Sequence, residues 1–150
     1  QPYYSVFVIT GKGVVTTDPI NPDAAKWLRA ELSKLTDQPI THLIYSHSHG
    51  DHASGGAEFG TVPHIIAHAN APETIDGVSP TQRFDQTLVV SQGDKTIELT
   101  YLGPGHGKDL IAMVIRPENI AFIVDAVAAK RLPYRDFPGS NVDNWIEQVK

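Results

Sequence analysis

The segment from His47 to His52 carries three imidazole rings and one carboxylate within six consecutive positions. Neutral imidazole is the commonest protein ligand for zinc and for metals of similar preference, and a nearby carboxylate can hold a second ion or orient a water molecule. A polar loop that contains histidines by chance is the alternative explanation, but His and Asp at fixed offsets are a more specific signal. The segment therefore predicts a metal site.

The residues before this segment predict how its side chains are directed. Residues 40–46 form a short β-prone run, and His47 and His49 follow two positions apart. Residues with this spacing at a strand end share one face, so both rings can reach a single ion. After Gly50, where the backbone can turn, Asp51 and His52 are expected to face a neighbouring position. The spacing is thus compatible with two adjacent ions.

Strands dominate the elements that must position this segment. β-prone runs occupy residues 3–10, 13–18, 40–46, 62–67, 87–91, 96–102, 110–116 and 120–125. Turn residues at 10–13 and 92–95 join neighbouring runs in the manner of hairpins.

Three helices are expected between and after these strands. Asn21 is suited to cap the first helix and Pro22 to begin it, and Pro39 prevents it from continuing. The apolar face of this helix consists of Ala25, Leu28, Leu32 and Leu35. A second helix is expected after Asp51, and a third from Val142 with Ser140 or Asn141 as its cap. Helices flanking β pairs indicate an α+β fold.

Composition limits the class of protein and its partners. A length of 150 residues with 41% hydrophobic content favours one domain, residues 1–150, with one core. The formal net charge of -5 argues against binding to nucleic-acid phosphates, so the expected partner is a small-molecule substrate. No apolar run suits a bilayer, so no membrane contact is expected and a soluble protein, cytoplasmic or periplasmic, is predicted. Without cysteine, the metal ligands must be nitrogen and oxygen.

The order His-x-His-x-Asp-His at a strand end, from His47 to His52, resembles the signature of the metallo-β-lactamase superfamily. Residues 103–107, Gly-Pro-Gly-His-Gly, are similar to the glycine-rich turn of that family, and residues 120–125 are similar to its hydrophobic strand ending in Asp. Residues 14–18 resemble its early strand, which also ends in Asp. The resemblance spans nearly the whole chain and implies a four-layer αββα sandwich.

The resemblance also implies a ligand set and a reaction. His47, His49 and His106 would bind the first ion, Asp51 and His52 would belong to the second, and Asp125 would lie between them. Zinc is the implied metal, as one or two ions, and iron or manganese would also suit His and Asp ligands. Hydroxide formed at the metal would attack an acyl carbon while Asp51 orients it and passes its proton to the leaving group.

The implied activity is hydrolysis of an ester, thioester, lactone, amide or β-lactam. Two alternative activities lie within the superfamily, those of a phosphoesterase and of a sulfatase. The net negative charge of the chain argues against a nucleic acid as the phosphoester substrate. A third alternative is a metal-binding domain without turnover.

One departure from the family pattern concerns the second ion. The family takes a further His from a C-terminal strand and turn, and no His follows His106 here. We therefore expect a fold that is incomplete at its C-terminal end, in a chain that is part of a longer protein. Otherwise, water or another group must complete the second metal position.

Several candidate residues have simpler structural explanations. His106 could be an exposed turn residue, and Asp125 could cap the turn that follows its strand. Asp18 could cap the turn before Pro19 or support the metal site. Weaker candidates for the substrate pocket are His68, Lys108, Arg131, Tyr134 and Arg135.

Overall fold

The computed structural model describes residues 3–127 and 140–148, and its strands form two sheets. The first sheet has five strands in the order β1 (Phe7–Thr10), β2 (Gly13–Thr17), β3 (Ile40–Ile44), β4 (His64–His68) and β5 (Gln82–Phe84). The second has four, β6 (Thr87–Gln92), β7 (Lys95–Tyr101), β8 (Ile111–Arg116) and β9 (Ile120–Phe122). In the first sheet β1 and β2 are antiparallel and the strands from β2 to β5 are parallel, whereas the second sheet is antiparallel throughout.

The described helices are α1 (Pro22–Leu35), α2 (Gly50–Ala53) and α3 (Val142–Gln148), with a 3₁₀ turn at Gly56–Phe59. Helix α1 begins as predicted, because the side chain of Asn21 accepts a hydrogen bond from the backbone N–H of Ala24 at 2.9 Å. It ends at Leu35, and the N–H of the next residue, Thr36, donates to the carbonyl of Leu32. Among these three helices, none has the length and apolar content needed to cross a bilayer.

The first sheet is buried on both faces. Along β3 and the residue after it, Leu43 and Tyr45 pack with the apolar stripe of α1, whereas Ile44 packs between the two sheets. Successive strand residues point to opposite faces, which is why a continuous apolar run fills both contacts. Helix, sheet and sheet therefore follow one another in the layer order of the predicted sandwich.

The elements differ from the sequence prediction at several places, among them α2, which begins at Gly50 and not after Asp51. β1 begins at Phe7 and β9 ends at Phe122, so both are shorter than the runs 3–10 and 120–125. β5 was not predicted, because three residues with two polar side chains give no apolar pattern; its parallel pairing with β4 makes it a strand. Leu35, at the last position of α1, is 63% exposed, so the buried stripe ends at Leu32.

A backbone hydrogen bond joins the segment that follows β3 to β8, beside the predicted metal segment. The N–H of Ile111, the first residue of β8, donates to the carbonyl of Ser46 at 2.9 Å. This hydrogen bond brings the end of β3 against the loop that precedes β8. Residues 46–52 and residues 102–110 therefore meet in space.

Candidate metal centre

Four histidine rings and one carboxylate converge where the end of β3 meets the loop before β8. The first cluster consists of His47, His49 and His106, and its ligand atoms all lie within 4.8 Å of one another. The second consists of His47, His52 and Asp125 and meets the same limit. Because His47 belongs to both, the two clusters are adjacent.

Asp125, a member of the second cluster, also lies close to a ring of the first. Its Oδ2 atom lies 3.1 Å from Nε2 of His52, 3.3 Å from Nε2 of His106 and 3.6 Å from Nε2 of His47. In the first cluster, Nδ1 of His49 lies 2.9 Å from Nε2 of His106. One carboxylate oxygen thus reaches rings from each cluster.

The short helix α2 directs the histidines of the first motif. His47 follows β3 and is 1% exposed, and His49 precedes α2 with an extended backbone at φ -66° and ψ 139°. The N–H of His52 then donates to the carbonyl of His49 at 3.0 Å. This turn brings the ring of His52 back beside that of His47, with 4.8 Å between the ring centroids.

Asp18 contacts residues of the metal segment through its buried carboxylate. It is fully buried, its Oδ1 accepts the backbone N–H of Ser46 at 2.8 Å, and its Oδ2 accepts the Ser46 hydroxyl at 2.6 Å. The same Oδ2 lies 3.2 Å from Nδ1 of His52. These contacts favour support of the site over the alternative of a turn cap.

Asp125 does not lie at a strand end as the sequence predicted. β9 stops at Phe122, and Asp125 sits three residues later in a bend with a left-handed φ of 57°. The chain leaves the sheet because Val124 packs with Leu110 and Ala126 in a separate apolar cluster. The bend turns the carboxylate towards the histidines.

Helix α3 holds the loop that carries His106. The hydroxyl of Ser140 donates to the His106 carbonyl at 2.8 Å, and the N–H of Asn141 donates to the Gly105 carbonyl at 2.9 Å. One turn further, side-chain amides of the helix donate to carbonyls of residues 102–104. The loop carbonyls are thus satisfied by one short helix, which fixes the backbone on which His106 stands.

Trp145 of α3 contacts His106 and Ala126, the residue that follows Asp125. Its ring packs edge-on against His106 with 5.2 Å between centroids, and its Nε1–H donates to the carbonyl of Ala126, beside Asp125, at 2.8 Å. From the sequence alone, a tryptophan on the apolar face of a helix is most simply a core residue, and Trp145 is indeed buried. An indole in an amphipathic helix carries no signal of a site, so only the structure reveals this contact.

Burial and neighbouring charges raise the pKa of one histidine of the clusters and lower the pKa of two others. Burial opposes a charged ring at His52, but hydrogen bonds and attraction from Asp125 and Asp18 outweigh it and raise the pKa of His52 to about 10. At His47, burial and then the neighbouring His52 and His49 rings lower the pKa. Burial also lowers the pKa of His106, against the attraction of Asp125. The pKa of Asp125 is lowered by His52 despite burial.

The residues fit a bound cation. Nε2 of His47 is buried without a hydrogen-bond partner among the described residues. Nδ1 of His49 and Nε2 of His106 face each other at 2.9 Å, so that one ring can donate a hydrogen bond to the other or both can turn lone pairs towards one cation. Histidine nitrogen with a carboxylate oxygen and no thiolate is a ligand chemistry that zinc and related divalent metals accept.

Asp51 lies outside both clusters. It is exposed in the first turn of α2, and its negative charge acts on the His106 ring, where it opposes the lowering of the pKa by burial. Its predicted roles as a metal ligand and proton carrier remain predictions.

Of the five weaker candidates for the substrate pocket, the structure describes the contacts of two. His68 is buried, stacks on Tyr101 with 3.8 Å between centroids, and has its Nε2 2.7 Å from the carbonyl of Asp85. Lys108 is exposed, and its carbonyl accepts the Tyr101 hydroxyl. Arg131, Tyr134 and Arg135 lie outside the described residues.

Comparison with solved structures identifies the fold. Metallo-β-lactamase IND-7 has a TM-score of 0.81 and 23% identity, over 97% of this chain and 69% of that one. The metallo-β-lactamase from Pontibacter korlensis has a TM-score of 0.83 and 18% identity, over 95% and 69%. The enzyme MIM-1 from Novosphingobium pentaromativorans has a TM-score of 0.69 and 21% identity, over 97% and 62%. At these identities the likeness concerns the fold alone, and it confirms the predicted αββα class.

Comparison of sequences identifies the family. The chain is 33% identical over 148 residues to 2,4-dinitroanisole O-demethylase subunit alpha of Nocardioides sp. strain JS1661, over 92% of this chain and 45% of that protein. It thus spans less than half of the length of this curated relative. The sequence profile of the metallo-β-lactamase superfamily matches residues 4–150. The chain therefore belongs to the metallo-β-lactamase superfamily, as the motif from His47 to His52 predicted.

Proposed function

We propose that this chain carries the metal centre of a zinc-dependent hydrolase that holds up to two ions and cleaves acyl substrates. Membership of the superfamily and the histidine clusters support a metal-dependent hydrolase in general. The observation that carries the proposal is the convergence of His47, His49 and His106, contributed by two segments of the chain, on one small volume. Three converging imidazoles with room for a further ligand are the pattern of a catalytic zinc site.

The first ion takes the His47, His49 and His106 nitrogens, and the second takes His52 and Asp125. The shared position of His47 and Asp125 supports two neighbouring ions. Zinc is favoured by the nitrogen-rich donor set, and iron or manganese is the alternative for the oxygen-bearing second position. Asp18 and Ser46 hold His47 and His52 in place through buried hydrogen bonds.

When bound, a divalent cation lowers the pKa of a coordinated water from near 16 towards about 7 and polarises an acyl oxygen. The side chain proposed to move the proton is Asp51, which is exposed and whose charge acts on the His106 ring. It accepts a proton from the attacking water and delivers it to the leaving group as the bond to the acyl carbon breaks. Water is consumed, and a carboxylic acid and an alcohol, thiol or amine are formed.

A second candidate reaction is the cleavage of a methyl aryl ether. The relative that is 33% identical is named a 2,4-dinitroanisole O-demethylase subunit, and this name supports an ether as a substrate. Hydrolysis of such an ether would consume one water and release methanol and a phenol. The same ligands and the same proton carrier would serve either reaction, so the substrate pocket decides between them.

Metal analysis and a substrate panel test the proposal. Elemental analysis of the purified chain distinguishes one ion from two and zinc from iron or manganese. The panel contains nitrocefin, a lactone, a thioester, 2,4-dinitroanisole, an aryl sulfate and a bis-aryl phosphate. We expect zinc at one to two equivalents and turnover of an acyl substrate that a chelator abolishes and added zinc restores.

Four outcomes would overturn parts of the proposal. A protein that binds no divalent metal would exclude the metal centre. Turnover of only the ether would replace the acyl reaction with the second candidate, and turnover of only the phosphate or the sulfate would place the chain with the other hydrolases of the superfamily. Zinc binding without turnover of any substrate would leave a metal-binding domain.

A further inference from the structure

The backbone around Asp125 forms a strained γ-turn. The N–H of Ala126 donates to the carbonyl of Val124, two residues earlier, at 2.6 Å, and Asp125 between them has a φ of 57°. A three-residue turn with a positive φ at its centre is rare and strained. Backbone of this kind persists only where the surrounding structure holds it. The contacts on either side of Asp125 therefore determine where its carboxylate lies.

Two kinds of contact hold this turn. Val124 and Ala126 are buried and pack with Leu110 in a small apolar cluster. Apolar packing is non-directional, so it keeps these residues inside the protein without fixing the orientation of their peptide groups. The directional contact is the buried hydrogen bond from Nε1–H of Trp145 to the carbonyl of Ala126, at 2.8 Å. This bond fixes the peptide group that follows the turn.

Trp145 is itself held in a fixed position relative to His106. Its ring is 6% exposed and lies edge-on to the His106 ring, with 5.2 Å between the centroids. The start of its helix is bound to the same loop, because the hydroxyl of Ser140 donates to the His106 carbonyl at 2.8 Å. One indole therefore touches a ring of the first cluster and holds the turn that carries Asp125, whose Oδ2 lies 3.3 Å from Nε2 of His106.

We infer that Trp145 is a positioning residue for Asp125. Its indole N–H keeps the strained turn closed through the Ala126 carbonyl, and the closed turn directs the carboxylate at the ring of His52, 3.1 Å away. Asp125 is the carboxylate of the second cluster, so Trp145 controls the affinity of the second metal position more than that of the first. The inference rests on the proposed metal centre.

Trp145→Phe tests the hydrogen bond. The phenyl ring keeps an aromatic side chain beside His106, but it removes the N–H donor and leaves the Ala126 carbonyl without this partner. Trp27→Phe makes the same change on α1, where Trp27 is 65% exposed, and serves as the matched control. Because the sequence has two tryptophans, Trp27→Phe also leaves Trp145 as the single indole of the chain.

Stepwise zinc titration against a chelator, on the full 150-residue chain, measures the two metal positions separately. We expect Trp145→Phe to weaken the second step about 10- to 100-fold and to keep the first within about twofold, as expected for loss of a contact behind one metal ligand. Trp27→Phe should change neither step. Equal weakening of both steps in Trp145→Phe would make the residue part of the general packing and overturn the inference.

A second measurement leaves Trp145 in place. If the indole bond favours the second ion, that ion must stabilise the bond by the same factor. In the Trp27→Phe chain, NMR hydrogen exchange of the single indole N–H should therefore slow about 10- to 100-fold as the second equivalent of zinc binds. An exchange rate that is the same with one and with two zinc ions would contradict the role of Trp145.

The outcomes separate this inference from the proposed function. A wild-type chain that binds no zinc defeats both, and one that binds a single zinc ion defeats the second position together with this role of Trp145. A wild-type chain that binds two ions, with Trp145→Phe within about twofold of it in both steps, defeats only the inference. If Trp145→Phe fails to fold by circular dichroism, the indole exchange in Trp27→Phe decides.

Discussion

Nδ1 of His49 lies 2.9 Å from Nε2 of His106, although the two residues are 57 positions apart in the sequence. The hydrogen bond between Ile111 and Ser46 makes this approach possible, because it fixes the two segments against each other. Two imidazoles from different segments, with His47 beside them, thus form a group that could hold a metal ion.

Removal of either of these rings should empty the first metal position. We expect His49→Ala and His106→Ala each to lower zinc affinity on the order of 100-fold or more, since even outer contacts contribute 10- to 100-fold. Turnover should disappear with the metal. Equilibrium dialysis followed by elemental analysis measures the effect, with His64→Ala, an exposed histidine, as the control. Full zinc content or retained activity in either variant would count against the assignment.

Asp125→Ala should weaken the second ion more than the first. Its Oδ2 atom is closest to Nε2 of His52, at 3.1 Å, and the second cluster has no other carboxylate. The three imidazoles of the first cluster remain in this variant. Stepwise zinc titration against a chelator should therefore retain the tight step and lose the weak one, and an equal loss of both steps would contradict a bridging position.

The metal-free protein should lose stability as the pH rises from about 6.5 to about 10. The pKa of His52 is raised to about 10 in the folded state and is near 6.5 in the unfolded chain, so the folded state holds a proton that the unfolded state has released. The contribution is complete below pH 6.5 and is lost through pH 10. Urea unfolding across this range, in the presence of a chelator, should give a falling free energy of unfolding.

The same experiment has two controls. His52→Ala should remove the part of the slope that comes from this proton. Zinc should remove it as well, because ligation requires the neutral ring. A stability that rises with pH over this range in the metal-free protein would show that Asp18 and Asp125 do not hold His52 in its charged form.

The sequence predicts the parts of the site that depend on local spacing. His47, His49 and His52 lie within one short motif, and a strand followed by a turn is sufficient to direct them. Helix α1 was predictable for the same reason, since its cap at Asn21, its first proline and its apolar repeat are all local.

The parts of the candidate site that could not be predicted from the sequence depend on contacts between distant segments. Asp125 acts from a left-handed bend after β9, not from a strand end, because Val124 leaves the sheet to pack with Leu110. Trp145 reads as a core residue, and its contact with His106 exists only because α3 docks on the loop. Such contacts are set by tertiary packing, and a pattern along the chain does not encode them.

Asp18→Asn should destabilise the fold and the site together. The carboxylate is fully buried and contacts the Ser46 N–H, the Ser46 hydroxyl and Nδ1 of His52. An amide keeps the shape but turns an acceptor into a donor and leaves the charged His52 with one carboxylate. We expect a loss of about 3 kcal/mol in the free energy of unfolding, in the range for a broken buried pair. Thermal and urea unfolding measure it, and a loss below 0.5 kcal/mol would exclude a supporting role.

Asp51→Asn should separate proton transfer from metal binding. Asp51 is exposed in the first turn of α2 and lies outside both clusters, so its removal should leave the zinc content unchanged. If it carries the proton between water and leaving group, kcat should fall about 10²- to 10⁴-fold, the usual contribution of a positioned acid or base. Asp23→Asn, an exposed carboxylate in the first turn of α1, is the matched control and should have no effect. A variant at Asp51 that loses zinc together with activity would make this residue a ligand instead, and one that keeps full activity would leave proton transfer to another group.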